Sequence, residues 1–343
     1  GKGKWAPDSR ITTTFANGTS ELLAGKNELP AEESTLNVKV DRGIAMMRER
    51  AWAGNPFFLR LDFTEPHPPY GSSEPYTSMY NPADIPPWPN FHDDLKDKPD
   101  AYLRKRQEWG LEDKEDWDFW RPIVASYYGV VSQIDAGVGK MLDAIDELGI
   151  ADDTIFVFST DHGDPTGSHL HFEKAGTMFD EVFRIPLLMS APSRWATACR
   201  CDSFVTLMDL MPTFVDWAGG TLDTPVDARS LTPLARGQKV ENWPDSVYCE
   251  SHGEVWGYFS QRMVRTKEWK YVYTPHGLDE LYDLQADPAE LENLIESDDH
   301  VDVLQEMKAR LIGWNDATGD MFQWDWVRNN FPEPISPYSK SEA

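Results

Sequence analysis

Cysteine is scarce in this 343-residue sequence. The three present (Cys199, Cys201 and Cys249) are too few for a disulfide framework and are spaced unlike any zinc site. No apolar run approaches 18 residues, so no membrane-spanning helix is expected. Positive charge is also short: 32 Lys and Arg stand against 58 Asp and Glu, a formal net charge of −26. A field of that sign repels nucleic acid and anionic lipid, so neither is an expected partner. The sequence has no initiator Met, and Gly1-Lys2-Gly3-Lys4 does not read as a signal peptide, which leaves the compartment open. Repeats and low-complexity tracts are missing. Apolar surface is plentiful: 40% of residues are hydrophobic, with 14 Trp, 12 Tyr and 16 Phe, which excludes disorder and suffices for a large core.

Residues 1–34 are polar and irregular, with a turn signal at Asn17-Gly18 that is also formally a glycosylation sequon with Thr19. From Thr35, the apolar positions Leu36, Val40, Ile44 and Met47 predict a helix ending near Gly54-Asn55. Residues 56–63 read as a buried strand that opens into Thr64-Glu65-Pro66-His67-Pro68-Pro69-Tyr70. Residues 71–120 form a long excursion rich in Pro, Trp and Asp, a length usually reserved for functional loops. Their aromatic residues, with Trp324-Asp325-Trp326, either shape a pocket rim or pack the domains together. Val131, Ile134, Val138, Met141, Ile145 and Leu148 predict a second helix, stopped by Gly149. Residues 154–160 read as a strand covered on both faces that delivers Asp161-His162-Gly163-Asp164 at its end. A further strand at 185–189 and a helix at 205–217 follow.

This alternation predicts an α/β fold: a mixed, mostly parallel sheet sandwiched by helices. After Pro233 the texture changes to short alternating strands at 246–250, 261–265, 270–273 and 280–284, and one helix near 300–314. That reads as a smaller antiparallel α+β domain, dividing the chain into residues 1–235 and 236–343.

Ligands of open α/β sheets gather at the carboxyl ends of the strands. Two strands here end in chemically loaded loops, one with His67 and one with Asp161-His162; Lys174 follows twelve residues after His162. A hard anionic ligand, imidazoles and an ammonium suit a divalent metal faced by cationic side chains, the arrangement an anionic tetrahedral ester requires. Each residue also has a plainer reading. A His between prolines is commonly a surface loop residue, an Asp after a strand a turn former, and a Lys before a helix a solvated charge. The histidines at 162, 169 and 171 fit surface decoration or a nitrogen-loving metal.

At these residues the chain resembles the sulfatase family of the alkaline-phosphatase-like superfamily. Pro56-Phe57-Phe58-Leu59 with Glu65-Pro66-His67-Pro68-Pro69-Tyr70 resembles the family's strand and its Pro-His loop. Tyr127-Tyr128-Gly129-Val130-Val131-Ser132-Gln133-Ile134-Asp135 is similar to its central helix. Ser159-Thr160-Asp161-His162-Gly163-Asp164, Lys174, Met178-Phe179-Asp180-Glu181 and Arg184-Ile185-Pro186-Leu187 follow in the family's order, as do Leu207 to Thr213, Glu280 to Leu284 and Asn293-Leu294. The resemblance runs from about residue 35 to residue 315. It implies that Asp161 and His162 are metal ligands, calcium first and manganese or another transition metal as the alternative. It also implies that His67 and Lys174 hold sulfate oxygens, His67 being placed to protonate the leaving alkoxide. The implied substrate is a small-molecule or glycan sulfate ester. The implied nucleophile is a hydrated formylglycine made from a C/S-x-P-S-R motif.

The sequence departs from the family at that nucleophile. The motif, the first strand with its Asp-Asp pair and the Gly-Lys-Trp-His element all belong ahead of Pro56, and none is found there. Ser190-Ala191-Pro192-Ser193-Arg194 spells the motif in the wrong place, after the Arg-x-Pro-Leu strand, and Gly3-Lys4-Trp5 is followed by Ala6. The chain therefore reads as the C-terminal two-thirds of a sulfatase, an N-terminally incomplete fold. The remainder would be a missing segment or second chain, and the exposed sheet edge would favour a partner or an oligomer. Two alternatives stay open: a phosphonate monoester hydrolase or phosphodiesterase of the same superfamily, and a non-catalytic sulfatase-like binding module.

Overall fold

Ser34 starts the first long helix by accepting the Asn37 backbone N–H on its hydroxyl at 3.2 Å, which satisfies one of the donors a helix start leaves open. In the computed structural model, which describes residues 4–174, 176–192, 195, 200–252, 259–320 and 328–338, this helix (α1, Thr35–Trp52) buries Leu36, Val40, Ile44 and Met47, the stripe its periodicity predicts. Ahead of it, β1 (Ile11–Thr14) and β2 (Ser20–Ala24) form an antiparallel hairpin. Its turn uses Gly18 at φ +84° and the Asn17 side chain, whose Oδ1 accepts the Thr19 N–H at 2.9 Å.

After α2 (Asp100–Glu108) comes α3 (Trp117–Glu147), which lies along α1. Gly137 permits that approach, since a Cβ there would meet Val40 at 3.0 Å and Leu36 at 3.2 Å. Ile134, Met141 and Ile145 of the predicted stripe are buried, whereas Val131 faces solvent. Gly149 at φ +67° ends the helix as expected. β3 (Phe156–Ser159) then pairs with β4 (Leu187–Ser190), with α4 (Asp180–Phe183) between them. α5 (Leu210–Trp217) and α6 (Thr232–Ala235) follow.

The C-terminal part is the antiparallel α+β unit that its alternation predicts. β5 (Val247–His252), β6 (Ser260–Arg265), β7 (Trp269–Tyr273) and β8 (Glu280–Asp283) pair in chain order, and α7 (Val301–Thr318) lies across β6 and β7. Val264, Tyr271 and Leu281 meet Met307, Leu311 and Trp314 in its core. The buried Lys270 ties this unit to α4, its ammonium lying 2.6 Å from Asp180 and 2.5 Å from Glu290.

The mixed α/β character holds, but the ladders among the described residues are antiparallel, and the mostly parallel sheet is not assembled from them. Residues 56–63 explain the difference. They carry no strand or helix assignment, although Leu59, Leu61 and Phe63 alternate against the α1–α3 core. Yet none of their backbone groups makes a hydrogen bond to another segment among the described residues. Phe58, on the opposite side, is 72% exposed, its ring centroid 5.3 Å from that of Phe214.

The 71–120 excursion is packed inward. Phe91, Trp109, Trp117 and Trp120 are buried in the N-terminal core, and Trp109 also lines a cavity beside His67. Ser193, Arg194, Cys199 and Trp324-Asp325-Trp326 lie outside the described residues.

Candidate functional site

Two loops build the site, and Tyr70 joins them. Its backbone N–H donates to Leu23 O at 2.8 Å and its carbonyl accepts from Gly25, pinning the His67 loop to β2. Its buried hydroxyl donates to Asp164 Oδ2 at 2.6 Å, reaching the loop that leaves β3. Tyr127 and Phe172 pack against the ring. Burial pushes the Asp164 carboxyl up to about 6 against the Tyr70 hydrogen bond; the negative charge of Glu173 adds to the rise and His162 opposes it.

His67 Nδ1 donates to Pro68 O, 2.8 Å away, which sets the ring so that Nε2 faces Glu173 Oε1 at 3.5 Å. The same carboxylate oxygen takes the Lys174 ammonium at 2.5 Å. His67 is half exposed, Lys174 is 28% exposed and Glu173 only 9%. The structure therefore brings His67 and Lys174 together on one anionic oxygen.

Asp161 and His162 form a second pair. Asp161 Oδ1 accepts the His162 backbone N–H at 3.1 Å, and the His162 Nε2 lies 3.9 Å from Asp161 Oδ2, its Nδ1 being engaged by Gly163 O. Asp161 is 83% exposed. Among the described residues no hydrogen bond or ion pair is seen between this pair and His67; Asp164 lies in the field of both His162 and Glu173. An exposed carboxylate beside an imidazole fits the start of a divalent-cation site. It supplies two donors where such ions take four or more, and no cluster of three or more His, Cys, Asp or Glu with metal-binding geometry occurs among the described residues.

His169 and His171 are neither surface decoration nor partners of His162. Both are buried. Asn90 Nδ2 donates to His169 Nε2 at 2.8 Å, so Nδ1 carries the proton and donates to Asp93 Oδ2 at 2.6 Å. The ring stacks on Phe179 at 3.6 Å. His171 lies between the carbonyls of His169 and Tyr102, and burial, with Arg106 nearby, pushes it down to about 3. These contacts hold a loop in which Thr166, His169, Leu170 and Glu173 all have φ between 44° and 59°, a region costly for side chains with a Cβ.

Glu173, Asp164 and Tyr70 are the residues that motif reading left without a role. The signal available was adjacency: Glu173 precedes Lys174, and Asp164 closes the Asp161-His162-Gly163-Asp164 run.

With this geometry in place, the comparisons are specific. The chain is 30% identical over 299 residues to an arylsulfatase of Clostridium perfringens, covering 82% of this chain and 59% of the relative. It is 28% identical over 320 residues to the multifunctional alkaline phosphatase superfamily protein PehA of Trinickia caryophylli, covering 86% and 62%. The chain thus spans about 60% of the length of these curated relatives. The structure of the phosphonate monoester hydrolase SpPMH from Silicibacter pomeroyi superposes with a TM-score of 0.75 at 25% identity, over 93% of this chain and 67% of that one. Members of this family generally use a divalent metal. A model of N-sulphoglucosamine sulphohydrolase C-terminal regions matches residues 167–316. The sulfatase model covers residues 18–220, which include His67, Asp161, His162 and Lys174 and more than half the sequence, and on that match this chain belongs to the sulfatase family.

Proposed function

We propose that this chain carries the part of a sulfate-monoester hydrolase that grips the transferring group and protonates the leaving alcohol. One observation carries the reading: His67 and Lys174 converge on a single carboxylate oxygen of Glu173. A sulfate oxygen at that position would meet the same two donors. As the ester S–O bond breaks, its electron pair passes to the alcohol oxygen, and His67 supplies the proton there. Lys174 offsets the charge on the sulfuryl oxygens. The attacking oxygen, which forms the new S–O bond, is assigned to a nucleophile outside these residues, a formylglycine hydrate by the resemblance. Asp161 and His162 would hold a divalent cation, calcium in this reading, adding positive charge beside the same oxygens.

The test is sulfate release from an aryl sulfate by the complete gene product and its His67→Ala and Lys174→Ala variants. Loss of a proton donor costs about 10²–10⁴ in rate, and His67→Ala is expected in that range. Wild-type turnover in both variants refutes the assignment.

A phosphonate monoester hydrolase is the second reading, supported by the SpPMH superposition and by the imidazole beside Asp161, a ligand that transition metals favour more than calcium does. Metal analysis separates the two: calcium supports the sulfatase, and manganese, iron or zinc the phosphonate hydrolase.

A further inference from the structure

A cavity of about 190 Å³ opens beside His67. Leu22 of β2, Pro68, Trp109 and Phe172 form its apolar wall, and Glu21 and Glu173 supply its carboxylates. Lys174 does not line it, and His67 is the only residue able to carry positive charge among the described lining residues. The two acids differ. Glu173 is compensated by Lys174, whereas Glu21 is exposed on the hairpin and its carboxylate has no hydrogen-bond or ion-pair partner among the described residues.

Size and charge together narrow the occupant. A cavity of about 150 Å³ takes one benzene, and pockets for drug-sized ligands begin near 300 Å³, so this one holds a single six-membered ring. The aromatic and aliphatic wall favours the face and edge of such a ring. The uncompensated Glu21 carboxylate repels a second anionic substituent and attracts an ammonium.

We propose that this cavity binds the ring of the leaving alcohol, and that it selects a ring that is neutral or bears an amine over one carrying a further sulfate, sulfonate or carboxylate. This rests on the role proposed above for His67, because the alcohol that receives its proton must lie against that imidazole. The hairpin residue Glu21 is then the specificity determinant, acting on the substrate's second charge.

The experiment titrates the chain with phenol, tyramine and 4-hydroxybenzenesulfonate, following the His67 ring and the Trp109 indole by NMR, with inorganic sulfate as a separate titrant. Phenol and tyramine are expected to shift both signals, and to bind at least about tenfold more tightly than the sulfonate. Glu21→Lys should remove or reverse that order and Glu21→Gln should flatten it; both sit on an exposed strand position, and circular dichroism checks their fold. Equal affinity for the three phenols, or an order unaffected by Glu21→Lys, overturns the inference. Sulfate shifting His67 while no phenol does so overturns the inference and leaves the sulfate-binding reading standing. Phenols binding in the expected order without any response of His67 to sulfate removes the sulfate reading and leaves the ring site.

Discussion

The Glu173 Oε1 lies 3.5 Å from His67 Nε2 and 2.5 Å from Lys174 Nζ, so one internal carboxylate oxygen occupies the position between the imidazole and the ammonium of the site. An incoming oxyanion competes with it. Replacing a charged acceptor by a neutral one weakens a hydrogen bond by about 1 kcal/mol, which corresponds to roughly a fivefold change in affinity. Glu173→Gln is therefore expected to tighten inorganic sulfate binding about fivefold, as measured by isothermal titration at fixed ionic strength. Unchanged or weaker binding would mean that the carboxylate supports the anion site instead of filling it.

The loop carrying Glu173 and Lys174 is held from below by His169. Burial alone would raise the Asp93 carboxyl, but the His169 hydrogen bond and Lys98 outweigh it and keep Asp93 below the usual range. Arg106 adds a hydrogen bond from its Nη2 to the His169 carbonyl at 2.8 Å. His169→Leu leaves Asp93 and Asn90 without their buried partner and should cost about 2–4 kcal/mol in urea unfolding. The same variant should weaken sulfate binding, because four residues of this loop sit in the left-handed region and relax once the anchor is gone. Full stability with wild-type sulfate affinity would show that the anchor does not position the site.

How much of this was legible beforehand depended on whether the signal was local. The stripes of α1 and α3 and the alternation of β5 to β8 are properties of short windows, and they fold as the windows suggest. Val131 is the exception within a stripe: its apolar side chain stays 42% exposed. The apolar alternation of Leu59, Leu61 and Phe63 was likewise readable, but the strand expected at 56–63 is not formed among the described residues, since a ladder requires a neighbour that the window does not contain. The burial of His169 and His171 follows from Asp93, Asn90 and Tyr102, in a distant segment whose irregular sequence advertises no partner. The same holds for Glu173. Its adjacency to Lys174 was visible, whereas its approach to His67 arises from two loops meeting through Tyr70 and Asp164.

Glu280 supplies a pH test that is independent of the site. It is buried, accepts the Tyr102 hydroxyl at 2.8 Å and the Tyr282 hydroxyl at 2.7 Å, and burial pushes it from 4.5 to about 7 despite these bonds. The folded state thus keeps a proton that the unfolded chain releases near pH 4.5. Its contribution to stability is complete below that pH and is lost as pH rises toward 7, an effect on the order of 3 kcal/mol. Glu280→Gln is neutral throughout and lacks this dependence. Urea unfolding of both proteins at pH 4.5 and 7.5 should show the wild type losing stability relative to the variant by that amount, and an equal difference at both pH values would contradict the assignment.

The sharpest contrast in backbone protection should fall between residues 57–63 and β6–β7. Val264 and Val272 lie in the inner strands of the C-terminal sheet, fully buried, with ladder partners on both sides. Their amides can exchange only when that sheet opens, at a free energy approaching that of global unfolding. The amides of 57–63 have no such partner among the described residues, although Leu59, Leu61 and Phe63 touch the core. Apolar contact on one face shields side chains and leaves the N–H groups to water. Hydrogen-exchange mass spectrometry at neutral pH is expected to label a 57–63 peptide within seconds while a 261–272 peptide stays protected for hours. Slow exchange in the first peptide would show that those seven residues have found a ladder partner in solution, and the alternating Leu59, Leu61 and Phe63 would then mark the buried face of a complete strand.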